Sequence, residues 1–147
     1  MSVKASFIEV TRYFTLLVGV AFLAAGIAGF IPFFTPPAPA GAPHLTISTS
    51  YGLLLGLFPV NIVHNFFHFS VGVFGVLSFR EYARARRFCQ FLGITLGILT
   101  VMGMIPTLNV VFGIWPLYGH AIWLHGVEAV IGVYLGFFAN QMEVESV

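Results

Sequence analysis

Residues 13–34 read YFTLLVGVAFLAAGIAGFIPFF, 22 consecutive positions without a charged side chain. A bilayer core about 30 Å thick is crossed by about 20 helical residues at about 1.5 Å each, so this run is long enough to span one. It is also longer than the apolar core of a secretory signal, about 7–15 residues, although Lys4 and Arg12 precede it and Ala38, Ala40 and Ala42 follow it. Outward from this stretch the same reading recurs at Val60–Phe79, Phe88–Ile105 and Leu117–Ala139. In the first connector, Pro36, Pro37, Pro39 and Pro43 forbid regular helix. A short loop over Arg80–Arg87 follows the second span. The third connector, Thr107–Pro116, has no charge but holds Phe112 and Trp115, as suits a loop at headgroup level. Pro59 is expected either to open the second span as its first helical residue or to kink a longer helix beginning near Ser50.

Composition agrees with lipid as the solvent. The 147 residues are 59% hydrophobic and 7% charged, where a soluble domain carries roughly a quarter charged residues. The expected fold is therefore all-α: residues 1–147 form a single transmembrane domain, an integral membrane four-helix bundle with spans near 13–34, 60–79, 88–105 and 117–139. That length leaves no room for a soluble catalytic domain of ordinary size. A net charge of +1 offers no basic stripe for nucleic acid. The lone Cys89 excludes an intrachain disulfide and any CxxC motif. All six basic residues, Lys4, Arg12, Arg80, Arg84, Arg86 and Arg87, fall on one side of the four spans, which predicts that both termini are cytoplasmic. Small residues near four apart (Ala21, Ala25 and Gly29; Gly72 and Gly75; Gly93 and Gly97; Gly132 and Gly136) predict close helix packing.

The residues that carry chemistry lie in the second and fourth spans. Asn61, His64, Asn65 and His68 fall at i, i+3, i+4 and i+7 and share one helical face. His125 and Glu128 are likewise neighbours on one face, while His120 lies about 140° round from His125 at about 100° per residue. Counted from Pro59 and Pro116, these groups reach a common level in the outer half of the membrane. Ionisable groups in spans are costly and usually functional. Four readings follow: polar glue between helices; a tetrapyrrole, haem or chlorophyll, held by His64, His68, His120, His125, Asn61, Asn65 and Glu128; a bare zinc, copper or iron ion on His64, His68, His125 and Glu128; or a proton or quinone site using His125 and Glu128. For haem the axial pair is His68 with His125 or His64 with His120, since two neighbours on one helix cannot take opposite faces of the ring. No nucleophilic triad and no phosphate loop is present.

The stretch Gly56-Leu57-Phe58-Pro59-Val60-Asn61-Ile62-Val63-His64-Asn65-Phe66-Phe67-His68, with Pro116-Leu117-Tyr118-Gly119-His120 and Leu124-His125, resembles a family of small four-span bacterial membrane proteins, the domain of unknown function 4383. The resemblance covers about residues 8–140 and is most specific at GLFPVN leading into HNxxH. It implies a four-span topology and no established activity. In the family, polar residues often including Asp or Asn follow the position of His120; Ala121 and Ile122 stand there in this chain. The family's occurrence in cyanobacteria and actinobacteria implies a bacterial inner membrane or a thylakoid membrane, with photosynthesis among the settings. The expected function is a small non-enzymatic subunit that holds a His-ligated cofactor, haem or chlorophyll. Its partners are membrane lipid and either a larger membrane complex or further copies of itself. The alternative is an oxidoreductase component or transporter doing proton-coupled chemistry at the His/Glu site.

Overall fold

The structure is a computed structural model and describes residues 3–139. The two chain ends and the Lys4 side chain, on which part of the orientation argument rests, lie outside the described residues. Four helices dominate: α1 (Val3–Ala28), α2 (Ile62–Ser78), α3 (Tyr82–Met104) and α4 (His120–Val133), the last continued by a π-turn over Tyr134–Phe138. Three of them, α1, α3 and α4 with its π-turn, are long and apolar enough to cross a membrane. Large apolar side chains such as Leu17, Ile98 and Val130 stand exposed on their outer faces, as lipid-facing residues do.

The expectation of an all-α chain is corrected by a two-stranded antiparallel hairpin, β1 (Gly52–Leu54) and β2 (Phe58–Val60), which pairs Gly52 with Val60 and Leu54 with Phe58. Pro59 sits in β2 opposite Leu53, so it neither opens nor kinks a helix. A proline lacks the N–H that an inner strand would need but is tolerated in an edge strand such as this one. Helix α2 instead begins at Ile62, capped by Asn61, whose side-chain oxygen accepts the His64 N–H at 3.0 Å. Its 17 residues cover about 25 Å at about 1.5 Å each, short of a full bilayer core.

The other boundaries also move. Helix α1 starts well before Tyr13 and ends at Ala28, and the segment expected to carry it to Phe34 is a series of turns. The basic segment expected as a loop is mostly the first turns of α3, because only residues 79–81 lie between α2 and α3. Its arginines join elements: Arg86 Nε donates to the Gly136 carbonyl at 2.9 Å, and Arg12 Nε donates to the Phe79 carbonyl at 2.9 Å. Gln90 also donates to Gly136 at 2.9 Å, so this carbonyl accepts two side-chain bonds from α3.

Two close helix pairs build the molecule. On α1 against α2, a Cβ on Gly26 would lie 2.5 Å from the Phe69 nitrogen, and one on Gly19 would lie 2.7 Å from the Val76 nitrogen. On α3 against α4, a Cβ on Gly93 would lie 2.6 Å from the Val133 nitrogen. Backbone contact of this kind is what small residues permit in a membrane. The sequence pattern identified Gly72, Gly75, Gly93, Gly132 and Gly136 but not Gly19 or Gly26, and Ala21 and Ala25 turn out to line a cavity. A core of Val18, Phe22, Val71, Phe88, Leu92, Leu96 and Ala129 ties the pairs together.

Candidate functional site

At the end of the molecule opposite the arginines, the connectors fold into a cap. Thr46 N–H donates to the Gly113 carbonyl at 2.8 Å and Ile62 N–H to the Thr49 carbonyl at 2.9 Å. The fully buried Asn61 joins both connectors, its amide donating to the carbonyls of Ile47 at 2.9 Å and Ile114 at 2.7 Å. One side chain therefore caps α2 and clamps the loops beneath which the histidines lie. Tyr51 and Tyr118 close the cap with a hydroxyl–hydroxyl bond of 2.7 Å. Burial, and then this bond, hold the Tyr118 hydroxyl above its ordinary pKa.

Beneath the cap, His64 and His68 on α2 meet His125 on α4, and each offers one ligand atom within 4.8 Å of the others. All three are buried. The α2 and α4 backbones are joined across the gap by these rings, with centroids 5.8 Å apart for His64 and His125 and 6.1 Å for His68 and His125. The i, i+4 spacing sets His64 against His68, with ring centroids 4.2 Å apart and planes tilted by 56°. The edge of Phe22 against His68 at 4.9 Å and Trp115 against His64 at 5.2 Å hold the rings from two sides.

Neither nitrogen of His64 has a hydrogen-bond partner, nor has Nδ1 of His68; the Pro59 carbonyl lies near His64 but outside hydrogen-bond geometry. A buried polar group without a partner costs about 1–3 kcal/mol. Three such atoms in one cluster call for a partner, whether an ordered water, an ion or a ligand. The three histidines line a cavity of about 160 Å³ together with Glu128, whose Oε2 is also unpartnered. The remaining walls, among them Phe22, Leu54, Phe58 and Leu124, are apolar.

Of the residues expected at the site, His64, His68, His125 and Glu128 meet at one cavity. His120 lies apart, exposed at the first residue of α4. Asn61 belongs to the cap, and Asn65 faces α1, where a Cβ on Gly29 would collide with its amide. Trp115, expected at the headgroup level, instead packs on His64 and Phe67, while Phe112 is exposed. The apolar wall from α1 and the hairpin had no sequence signal, because it arises from alanines, leucines and phenylalanines found throughout the chain.

A family model described as domain of unknown function (DUF4383) matches residues 12–138. The chain belongs to the DUF4383 family. No curated protein and no solved structure matches it. The matched region of this DUF4383 chain includes the cap, the three histidines and Glu128.

Proposed function

We propose that this DUF4383 chain is a small integral membrane protein that holds one transition-metal ion on His64, His68 and His125. The observation that carries this reading is the convergence of three buried imidazoles within 4.8 Å with three ring nitrogens unpartnered. A metal ion would satisfy a lone pair on each ring, and imidazole suits zinc, copper and iron. Charge favours copper in its monovalent state. The imidazoles bring no compensating charge, and Glu128 is the single carboxylate on the cavity wall. A monovalent ion beside one carboxylate is neutral overall, whereas a divalent ion leaves a net charge in a low-dielectric setting.

The geometry favours a bare ion over haem or chlorophyll. Three mutually adjacent donors form a closed triangle, whereas a bis-histidine haem needs its two donors on opposite faces of the ring. The cavity of about 160 Å³ is also smaller than the roughly 300–1,000 Å³ of sites for drug-sized ligands. We place the cap on the outer side of the membrane and the arginine end, with both termini, in the cytoplasm, on the basic-residue distribution.

The test is elemental analysis with an absorption spectrum of the full chain purified in mild detergent. The expected result is one copper, zinc or iron per chain, lost in His64→Ala and in His125→Ala and retained in His120→Ala. A Soret band or a red chlorophyll band would favour the tetrapyrrole instead, and absence of metal and pigment alike after loading would refute a cofactor site.

A further inference from the structure

Every wall of the histidine cavity other than the three imidazoles and Glu128 is apolar, and its rim reaches the surface. Leu55 and Leu124, which line it, are 64% and 45% exposed, and Ala21 is exposed beside them. The cavity therefore lies one side chain deep beneath a surface formed by α1, the hairpin tip and α4. No cationic residue lines it. Glu128 lines the cavity but is not among the three donors that lie within 4.8 Å of one another, so the histidines would supply three ligand atoms and a fourth position on a tetrahedral ion would face the cavity.

Structural metal sites close all four positions with protein ligands, whereas reactive ones keep one open. Here the same three histidines that converge on one point also line the cavity, so the open position would face it. Its volume of about 160 Å³ sets the size of the guest. A cavity of about 150 Å³ engineered in another protein takes guests as large as benzene or xenon, so this volume admits a few heavy atoms. An anion would find apolar walls and the Glu128 carboxylate, both unfavourable.

Resting on the proposed metal site, we infer that the ion's open position takes a small uncharged molecule, from a diatomic gas to a few heavy atoms, which arrives through the lipid between Leu55 and Leu124. A molecule that partitions into lipid is concentrated where the rim opens.

The probe is carbon monoxide, on the full chain in detergent, loaded with copper and reduced with ascorbate. The expected result is a C–O infrared band that saturates at one carbon monoxide per bound copper. Ala25→Leu, which fills the cavity from α1, should lower carbon monoxide affinity at least ten-fold with copper stoichiometry unchanged. Leu124→Trp, which blocks the rim from an exposed position, should slow carbon monoxide binding at least ten-fold and serves if Ala25→Leu fails to fold. Copper at one per chain with no carbon monoxide band overturns the open position and leaves the metal site standing. Equal affinity and equal rate in the folded variants overturn the cavity as the guest's chamber. Failure to bind copper, zinc or iron overturns the metal site, and this inference with it.

Discussion

Replacing His64 by leucine separates a metal site from a polar joint between helices. His64 is 1% exposed and both of its ring nitrogens lack partners. Each such atom costs about 1–3 kcal/mol, and leucine of similar bulk removes both. The ring packing lost against His68 and Trp115 offsets part of that gain, at about 0.5–1.5 kcal/mol per aromatic pair. The net expectation for the metal-free protein is a gain of about 2 kcal/mol. For a chain of this size, 1 kcal/mol moves Tm by about 2–4 °C, so His64→Leu should melt about 4–8 °C above the unsubstituted chain in chelator. With metal at about 100 times its Kd the unsubstituted chain gains about 2.7 kcal/mol and the variant gains nothing, so the order closes or inverts. Thermal melts in one detergent, with chelator and with ascorbate-reduced copper, read both halves. A His64→Leu protein that melts several degrees lower in chelator would sink the reasoning, because His64 would then be stabilising the metal-free fold.

Asn61→Asp keeps the oxygen that caps α2 but loses the donors to Ile47 and Ile114; the two stranded carbonyls should cost about 2–4 kcal/mol and speed proteolysis within residues 40–60 and 105–117. Trp115 packs 5.2 Å from His64 whereas Trp123 is exposed, so metal binding should shift the emission of Trp123→Phe, which keeps Trp115, more than that of Trp115→Phe. Gly93→Leu would force a side chain into the α4 backbone and should abolish a monodisperse folded peak in gel filtration, whereas the same change at Gly97, where the nearest atom is 4.0 Å away, should be tolerated. The Tyr118 hydroxyl is held above its ordinary value by burial and by Tyr51, so the bond's contribution is fully present below about pH 10 and is lost as pH rises through the folded value. A spectroscopic titration should show a late-ionising tyrosine that moves only part of the way back toward the ordinary range in Tyr51→Phe, because its burial remains.

The four apolar segments were legible because a membrane span is a one-dimensional property: about 20 residues without charge are enough to specify it. The i, i+3, i+4 and i+7 spacing likewise put His64 and His68 on one face before any fold was known. Depth alone puts His125 at their level, and the structure sets its ring 5.8 and 6.1 Å from theirs. Element ends were less legible. The hairpin around Leu55 and Gly56 hides in an apolar run, because its strands of three residues each are too short for a period-2 pattern.

What the sequence determines by itself is thus the number of apolar segments, the packing glycines Gly93, Gly132 and Gly136 though not Gly97, whose nearest atom is 4.0 Å away, and the chemical types available to a site. Tertiary structure alone decides which polar residues share that site. Asn61, Asn65 and His120 are as polar and as well spaced as the histidines, yet cap bonding, packing against α1 and exposure at a helix start remove them in turn. The physical reason is that a site is set by distances between elements far apart in the chain, here α2 and α4 held by the cap and by α1 and α3. Helical periodicity reports only distances within one element.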